Sequence, residues 1–184
     1  MGASSPYAVS KIAVDQLGQL YHRRYGLKIL RFRPFFMIGT RKTGDFCSDV
    51  ARKIALAESS GAERIELGNL EVVRDLLDVR DGVEAILLLI QRGQPGEAYN
   101  ICSGQGWHLD KIVEHYLTMS SRPIRVEITT ALSRPIDENI RVGDPRKIMA
   151  LGWRPRYRIP ETLGEILRYW RERVALRRGP PSGK

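Results

Sequence analysis

The chain has 184 residues, 42% of them apolar and 8% aromatic, with 30 basic and 21 acidic side chains and a formal charge of +9. That composition supports one folded domain with a sizeable core and excludes wholesale disorder. No stretch approaches the roughly 18 consecutive apolar residues of a membrane span, and the start MGASSPYAVSK has no apolar signal region, so a cytoplasmic protein is expected. Cys47 and Cys102 are far apart in sequence and suggest neither a disulfide framework nor a zinc site. His22, His108 and His115 have no partners at metal-ligand spacing, so no metal is expected. The charge is uneven: Arg168 to Lys184 holds six basic residues and one acid, which is +5 of the +9. This pattern reads as a solvated helix face followed by a short disordered tail over 179–184, and it argues against a nucleic-acid surface.

Ser5-Pro6 followed by YAVSKIAVDQLGQLYHRRYG predicts an N-capped helix with proline in its first turn, ended by Gly26. The apolar run from Leu27 to Phe32 predicts a buried strand, with a loop after Pro34. Asp45 to Glu58 reads as a second helix and Arg64 to Leu67 as a short strand, after which Gly68-Asn69 turns the chain. Asp78 caps a helix running from Val79 to about Gln91, and Gln94-Pro95-Gly96 interrupts the pattern before a strand from Ala98 to Cys102. A helix from Leu109 to Met119, a strand from Ile124 to Ile128, a short helix after Asp144-Pro145 and a last helix from Glu161 to Ala175 complete the reading. Helices alternate with short strands and there is no internal repeat, which points to an α/β fold.

Tyr7 and Lys11 lie four residues apart on the first helix, so their side chains share a face. A free phenol has a pKa of about 10 and is a poor proton carrier at neutral pH, whereas a neighbouring ammonium favours the phenolate. Such a tyrosine can exchange a proton with a carbonyl or carbinol oxygen. A tyrosine four residues before a lysine is nonetheless common on exposed helices, and the pair alone carries little weight.

Its neighbours carry more. SPYAVSK, then YGLKILRFRPF, GNLEVVRDLLDVRDGVEAILLLI, GEAYNICSG and SRPIDENIRVGDPRKIMALGWRPRYRI together resemble, in order and spacing, the C-terminal half of the extended short-chain dehydrogenase/reductase family. Within that family the strings GNLEVVRD, DVRD, YNICSG and SDVARKIA are most similar to the branch acting on GDP-mannose derivatives, the 4,6-dehydratases and, above them, the reductases of the 4-keto-6-deoxy product. The resemblance implies a partial Rossmann-like parallel sheet over residues 1–178, with a small α/β substrate-binding subdomain. It also implies NADP or NAD as cofactor and a GDP-linked sugar nucleotide as substrate. Tyr7 would be the catalytic proton donor and Lys11 its modulator and a ribose ligand, with Arg33, Pro34 and Phe35 passing the nicotinamide. Asn69, Arg74, Arg134 and Glu138 would hold the sugar nucleotide, since guanidinium forks suit phosphates and a carboxylate accepts from ribose hydroxyls. For Arg74, flanked by Asp75 and Asp78, a surface ion pair is the alternative.

Two departures qualify the implication. Where the family carries Asn and His after the first strand, this sequence has Phe36 and Met37, which cannot make the same hydrogen bonds. No Gly-x-x-Gly-x-x-Gly loop precedes Tyr7, and Ser103-Gly104-Gln105-Gly106 lacks the third glycine of a dinucleotide site. From this the expectation is a truncated chain, inactive alone, that is either a sugar-nucleotide-binding relative or one half of a split enzyme. Such a chain would present an open sheet edge and would need a homo-oligomer or a separate chain bearing the missing half to cover it.

Overall fold

The computed structural model describes residues 5–132 and 139–177. Helix α1 (Pro6–Tyr25) starts where the Ser5 side chain accepts from the Ala8 N–H at 3.2 Å. It ends at Gly26, whose φ of 67° is open to a residue without Cβ. Two short strands follow, β1 (Arg31–Pro34) and β2 (Phe36–Ile38). Helix α2 (Phe46–Ser60), strand β3 (Arg64–Leu67), strand β4 (Val73–Asp78) and helix α3 (Val79–Arg92) come next. The remainder is β5 (Ala98–Ile101), β6 (Gly106–His108), α4 (Leu109–Thr118), β7 (Arg125–Ile128), β8 (Ile140–Arg141), α5 (Arg146–Met149) and α6 (Ile159–Arg177).

Strand β4 organises the molecule. It runs parallel to β2 at its C-terminal end, and at its N-terminal end it pairs antiparallel to β6 and parallel to β8. Parallel pairs β1–β5 and β3–β7 stand beside this sheet. All six β4 residues are buried, and their alternation serves two cores. Leu76 joins Ile38 with Ile54 of α2, Ile112 and Tyr116 of α4, and Leu163 and Ile166 of α6. Leu77 turns the other way, to Ala85 and Leu89 of α3, Ile101, Ile148 and Trp153. Each fully buried side chain of this size contributes about 1.5–3 kcal/mol.

The expectation of a partial sheet with a separate small subdomain is therefore corrected. Late helices assigned to the subdomain, α4 and α6, close over the same apolar core as the sheet residues Ile38 and Leu76. A boundary there would expose both. One Rossmann-like α/β body spans the described residues, and no helix among them is long and apolar enough to cross a membrane.

Helix α1 stands apart, with no buried residue along its length. Gly18 packs against Ile29 and Arg31, His22 lies against Gly96, and the Asp15 carboxylate supplies ion pairs to β1. Asp15 accepts from Arg31 Nη1 at 2.7 Å, from Arg33 Nε at 2.9 Å and from Arg33 Nη2 at 2.7 Å. The Arg33 hydrogen bonds, with the charges of both arginines, outweigh burial and hold the Asp15 carboxyl below the usual carboxylate range.

Candidate active site

The aspartates of RDLLDVRD tie distant segments of the chain to β4 and the start of α3. Asp75 is 1% exposed and accepts from the N–H and hydroxyl of Ser103 at 2.8 and 2.6 Å, from Gly104 N at 2.9 Å and from Gly143 N at 3.1 Å. Asp78 caps α3, accepts from the Arg80 guanidinium and takes the Thr162 hydroxyl of α6 at 2.6 Å. Burial pushes the Asp78 carboxyl up, but the hydrogen bonds from Arg80 and Thr162 prevail and lower it. Asp81, fully buried, accepts from the backbone N–H groups of Arg156 and Tyr157 at 2.9 and 3.1 Å. These acids are structural, which the spacing of the motif did not reveal.

A cavity of about 450 Å³ lies beside the first turn of α2. Arg74 and Arg141 line one wall, and they are direct cross-strand partners in the β4–β8 register. Arg74 Nη1 donates to the carbonyl of Val73 at 2.8 Å, and the two guanidinium groups make this wall basic. Arg74 is 7% exposed, so its side chain is buried beside the cavity. Asn69 lines the cavity too, with its Oδ1 accepting from Glu71 N at 2.8 Å. So do Lys42, Lys53, Asp45 and Asp49, none of which the sequence singled out. The signal that marks them is position: Asp45, Asp49 and Lys53 follow one another at intervals of four along α2 and its cap.

Phe36 and Met37 have clear physical roles. Phe36 forms part of the cavity wall, with Lys42 Nζ 5.0 Å from its ring centroid. Met37 points to the opposite face and packs in the α3 core; a Cβ on Gly82 would lie 2.5 Å from its sulfur. An apolar residue belongs at both places.

Tyr7 is 71% exposed, and Lys11 Nζ lies 5.4 Å from its ring centroid, so the pair shares an open face of α1. These two fit the ribose and reacting end of a nicotinamide nucleotide, because both polar ends are accessible. Arg33 does not offer its fork there, since Asp15 occupies its Nε and Nη2. Phe35 sits where a Cβ on Gly143 would meet its ring at 2.8 Å, close to the loop that Asp75 anchors. Pro34 ends β1 with its side chain exposed. Arg134, Glu138 and the tail over 179–184 lie outside the described residues.

The family model of GDP-mannose 4,6 dehydratase matches residues 1–166. The chain belongs to this family. A Pseudomonas aeruginosa GDP-6-deoxy-D-mannose reductase is 33% identical over 173 residues, covering 92% of this chain and 57% of the relative. An Aggregatibacter actinomycetemcomitans GDP-6-deoxy-D-talose 4-dehydrogenase is 28% identical over 143 residues, 78% of this chain and 47% of the relative. Among solved structures, RMD from Pseudomonas aeruginosa complexed with NADPH superposes with a TM-score of 0.85 at 32% identity, covering 92% of this chain and 57% of that one. The NAD complex of Thermus thermophilus UDP-glucose 4-epimerase gives 0.78 at 25% identity over 91% of this chain and 54% of that one.

The chain thus spans about half the length of the relatives it matches. Membership of the dehydratase family corrects several expectations from the sequence. A match over residues 1–166 takes in nearly the whole chain, so the description as a C-terminal half only is withdrawn. With it go the truncated, inactive protein and the half of a split enzyme; the likeness is to an NAD(P)-dependent sugar-nucleotide oxidoreductase or dehydratase domain.

Proposed function

We propose that the protein is an NAD(P)-dependent enzyme acting on a nucleoside-diphosphate keto sugar, with Tyr7 as its proton donor. The observation that carries this reading is the cavity wall on which Arg74 and Arg141 stand opposite each other, a place for a diphosphate. A bound NAD(P)H supplies the hydride. Tyr7 gives its phenolic proton to the sugar carbonyl oxygen, and Lys11, one turn along, offsets the negative charge left on the tyrosine oxygen and reaches the cofactor ribose. Pro34 and Phe35 border the nicotinamide end, while Arg33 acts by fixing α1 through Asp15. Asn69 and Arg74 take the sugar nucleotide, with Arg134 and Glu138 assigned by resemblance alone. The exposed apolar residues of α1, among them Ile12, Leu17 and Leu20, are offered to a second copy of the chain.

The test is Tyr7→Phe, which removes the hydroxyl and keeps the ring. Turnover of a nucleoside-diphosphate keto sugar with NADPH should fall about a hundred- to ten-thousand-fold, with nucleoside diphosphate affinity unchanged. A Tyr7→Phe protein that reduces the substrate at the wild-type rate would remove Tyr7 from the mechanism.

A further inference from the structure

Strands β3 and β7 pair only with each other among the described residues, so each has one edge that no strand covers. The two edges differ. Arg125 N donates to Glu63 O and Thr129 N to Leu67 O, both at 2.8 Å, so Arg125, Glu127 and Thr129 turn their peptide groups to β3. Val126 and Ile128 therefore turn theirs outward. On β3 the outward groups are those of Arg64 and Glu66, and Lys53 of α2 crosses that edge to donate to Glu66 O. A lysine laid over an edge blunts it. No side chain or strand among the described residues bonds the outward groups of Val126 and Ile128, and Ile128 is 58% exposed. The charges on this sheet are also arranged unfavourably for a single chain. The register sets Arg64 opposite Arg125 and Glu66 opposite Glu127, and like charges directly opposite one another destabilise a sheet. The exposed diagonal pair of Arg64 with Glu127, at 3.3 Å, offsets this only in part.

We infer that β7 pairs edge to edge, antiparallel, with β7 of a second copy of this chain, about a two-fold axis at Val126. In this register Val126 exchanges both backbone hydrogen bonds with Val126 of the second copy, through the groups that β3 leaves unused. Arg125 then faces Glu127 of the second copy, and Glu127 faces its Arg125. These are the non-hydrogen-bonded positions, where side chains of an antiparallel pair approach most closely. A row across the four strands holds Arg64 and Arg125, then Glu127 and Glu66 of the second copy, so a basic pair meets an acidic pair. The second row repeats this in reverse. Neighbouring registers lose the match. An axis at Arg125 or at Glu127 sets that charge against itself, and an axis at Ile128 leaves Arg125 without an acid opposite. So short an interface is weak and reversible, and it is separate from the apolar residues of α1.

Sedimentation velocity over about 1–1,000 μM protein, the range in which such an interface associates, tests this with wild type, Arg125→Glu and Glu127→Arg. Both side chains are exposed, so neither substitution disturbs the core. Wild type should reach a larger species than either variant, and the Val126 amide should exchange more slowly as its concentration rises. Each variant alone should make this association at least about tenfold more weakly, because two attractive pairs become two repulsive ones. An equal mixture of the two variants should regain the wild-type association, since every reversed charge then meets its opposite. A wild type that reaches no larger species than the variants overturns the inference and assigns any remaining association to another face, such as α1. Loss in both variants without recovery in the mixture overturns the two-fold pairing at Val126 as well.

Discussion

Helix α1 and strand β4 both carry charge that matters, and they hold it in opposite ways. On α1, Tyr7 and Lys11 lie in the open, on a helix with no buried residue whose ion pairs to β1 come from Asp15. On and after β4, Asp75, Asp78 and Asp81 are buried, and each gathers a different part of the chain. An exposed pair costs little to maintain and remains free for chemistry. A buried carboxylate persists only where donors surround it, so it marks architecture. The contrast teaches that the buried acids on and after β4 are scaffold, whereas the polar groups of α1 stand open to solvent.

The sharpest way to break this comparison is Asp75→Ala. Removing the acceptor of four hydrogen bonds leaves the Ser103, Gly104 and Gly143 donors without their partner. Urea unfolding should show a loss of about 3–5 kcal/mol, and an unchanged midpoint would mean that the β4 acids are not scaffold.

Asp15→Ala tests the other side. It should cost about 1–2 kcal/mol, concentrated in α1, so hydrogen exchange there should quicken while β4 amides keep their protection. Turnover should fall and nucleotide affinity should not. Uniform loss of protection across both elements would show that α1 is coupled to the core more tightly than one carboxylate explains.

A smaller effect distinguishes them in acid. Burial raises the Glu58 carboxyl, but the hydrogen bonds from Arg171 and Ser121 and the Arg171 charge prevail and bring it down to about 2. Because the folded value is depressed, the contribution of Glu58 is present above the unfolded value, about 4.5, and is lost as pH falls toward 2. Glu58→Gln should lower the melting temperature at pH 7 by a few degrees and leave it nearly unchanged near pH 2. Asp15 has the same sign, so α1 should loosen as pH drops below about 4. A Glu58→Gln difference that persists undiminished at pH 2 would mean that the ion pair with Arg171 is not its source.

Elements governed by neighbours in sequence were legible from the start. The cap at Ser5, the glycine at 26, the cap at Asp78 and the i, i+4 placement of Tyr7 and Lys11 are all decided within a few residues. Strand β4 was not legible. Its Arg and two Asp residues look like a solvated turn, and only the donors of residues 103, 104, 143 and 162 make it a buried strand. Strand β2 was hidden for a related reason: three residues read as loop until β4 supplies their hydrogen bonds. The cavity lies further still from the sequence, because Asp49, Asn69, Arg74 and Arg141 come from separate segments.

What the sequence determined by itself, then, was the α/β alternation, the family likeness and the placing of Tyr7 and Lys11 on one face of α1. These rest on local spacing, and a helix repeats its geometry whatever surrounds it. The tertiary structure decided which charges are buried, that late helices share one core with the sheet, and that two arginines face the aspartates of α2 around a common space. Burial and cross-strand register join residues by distance in space, a quantity that order along the chain does not carry.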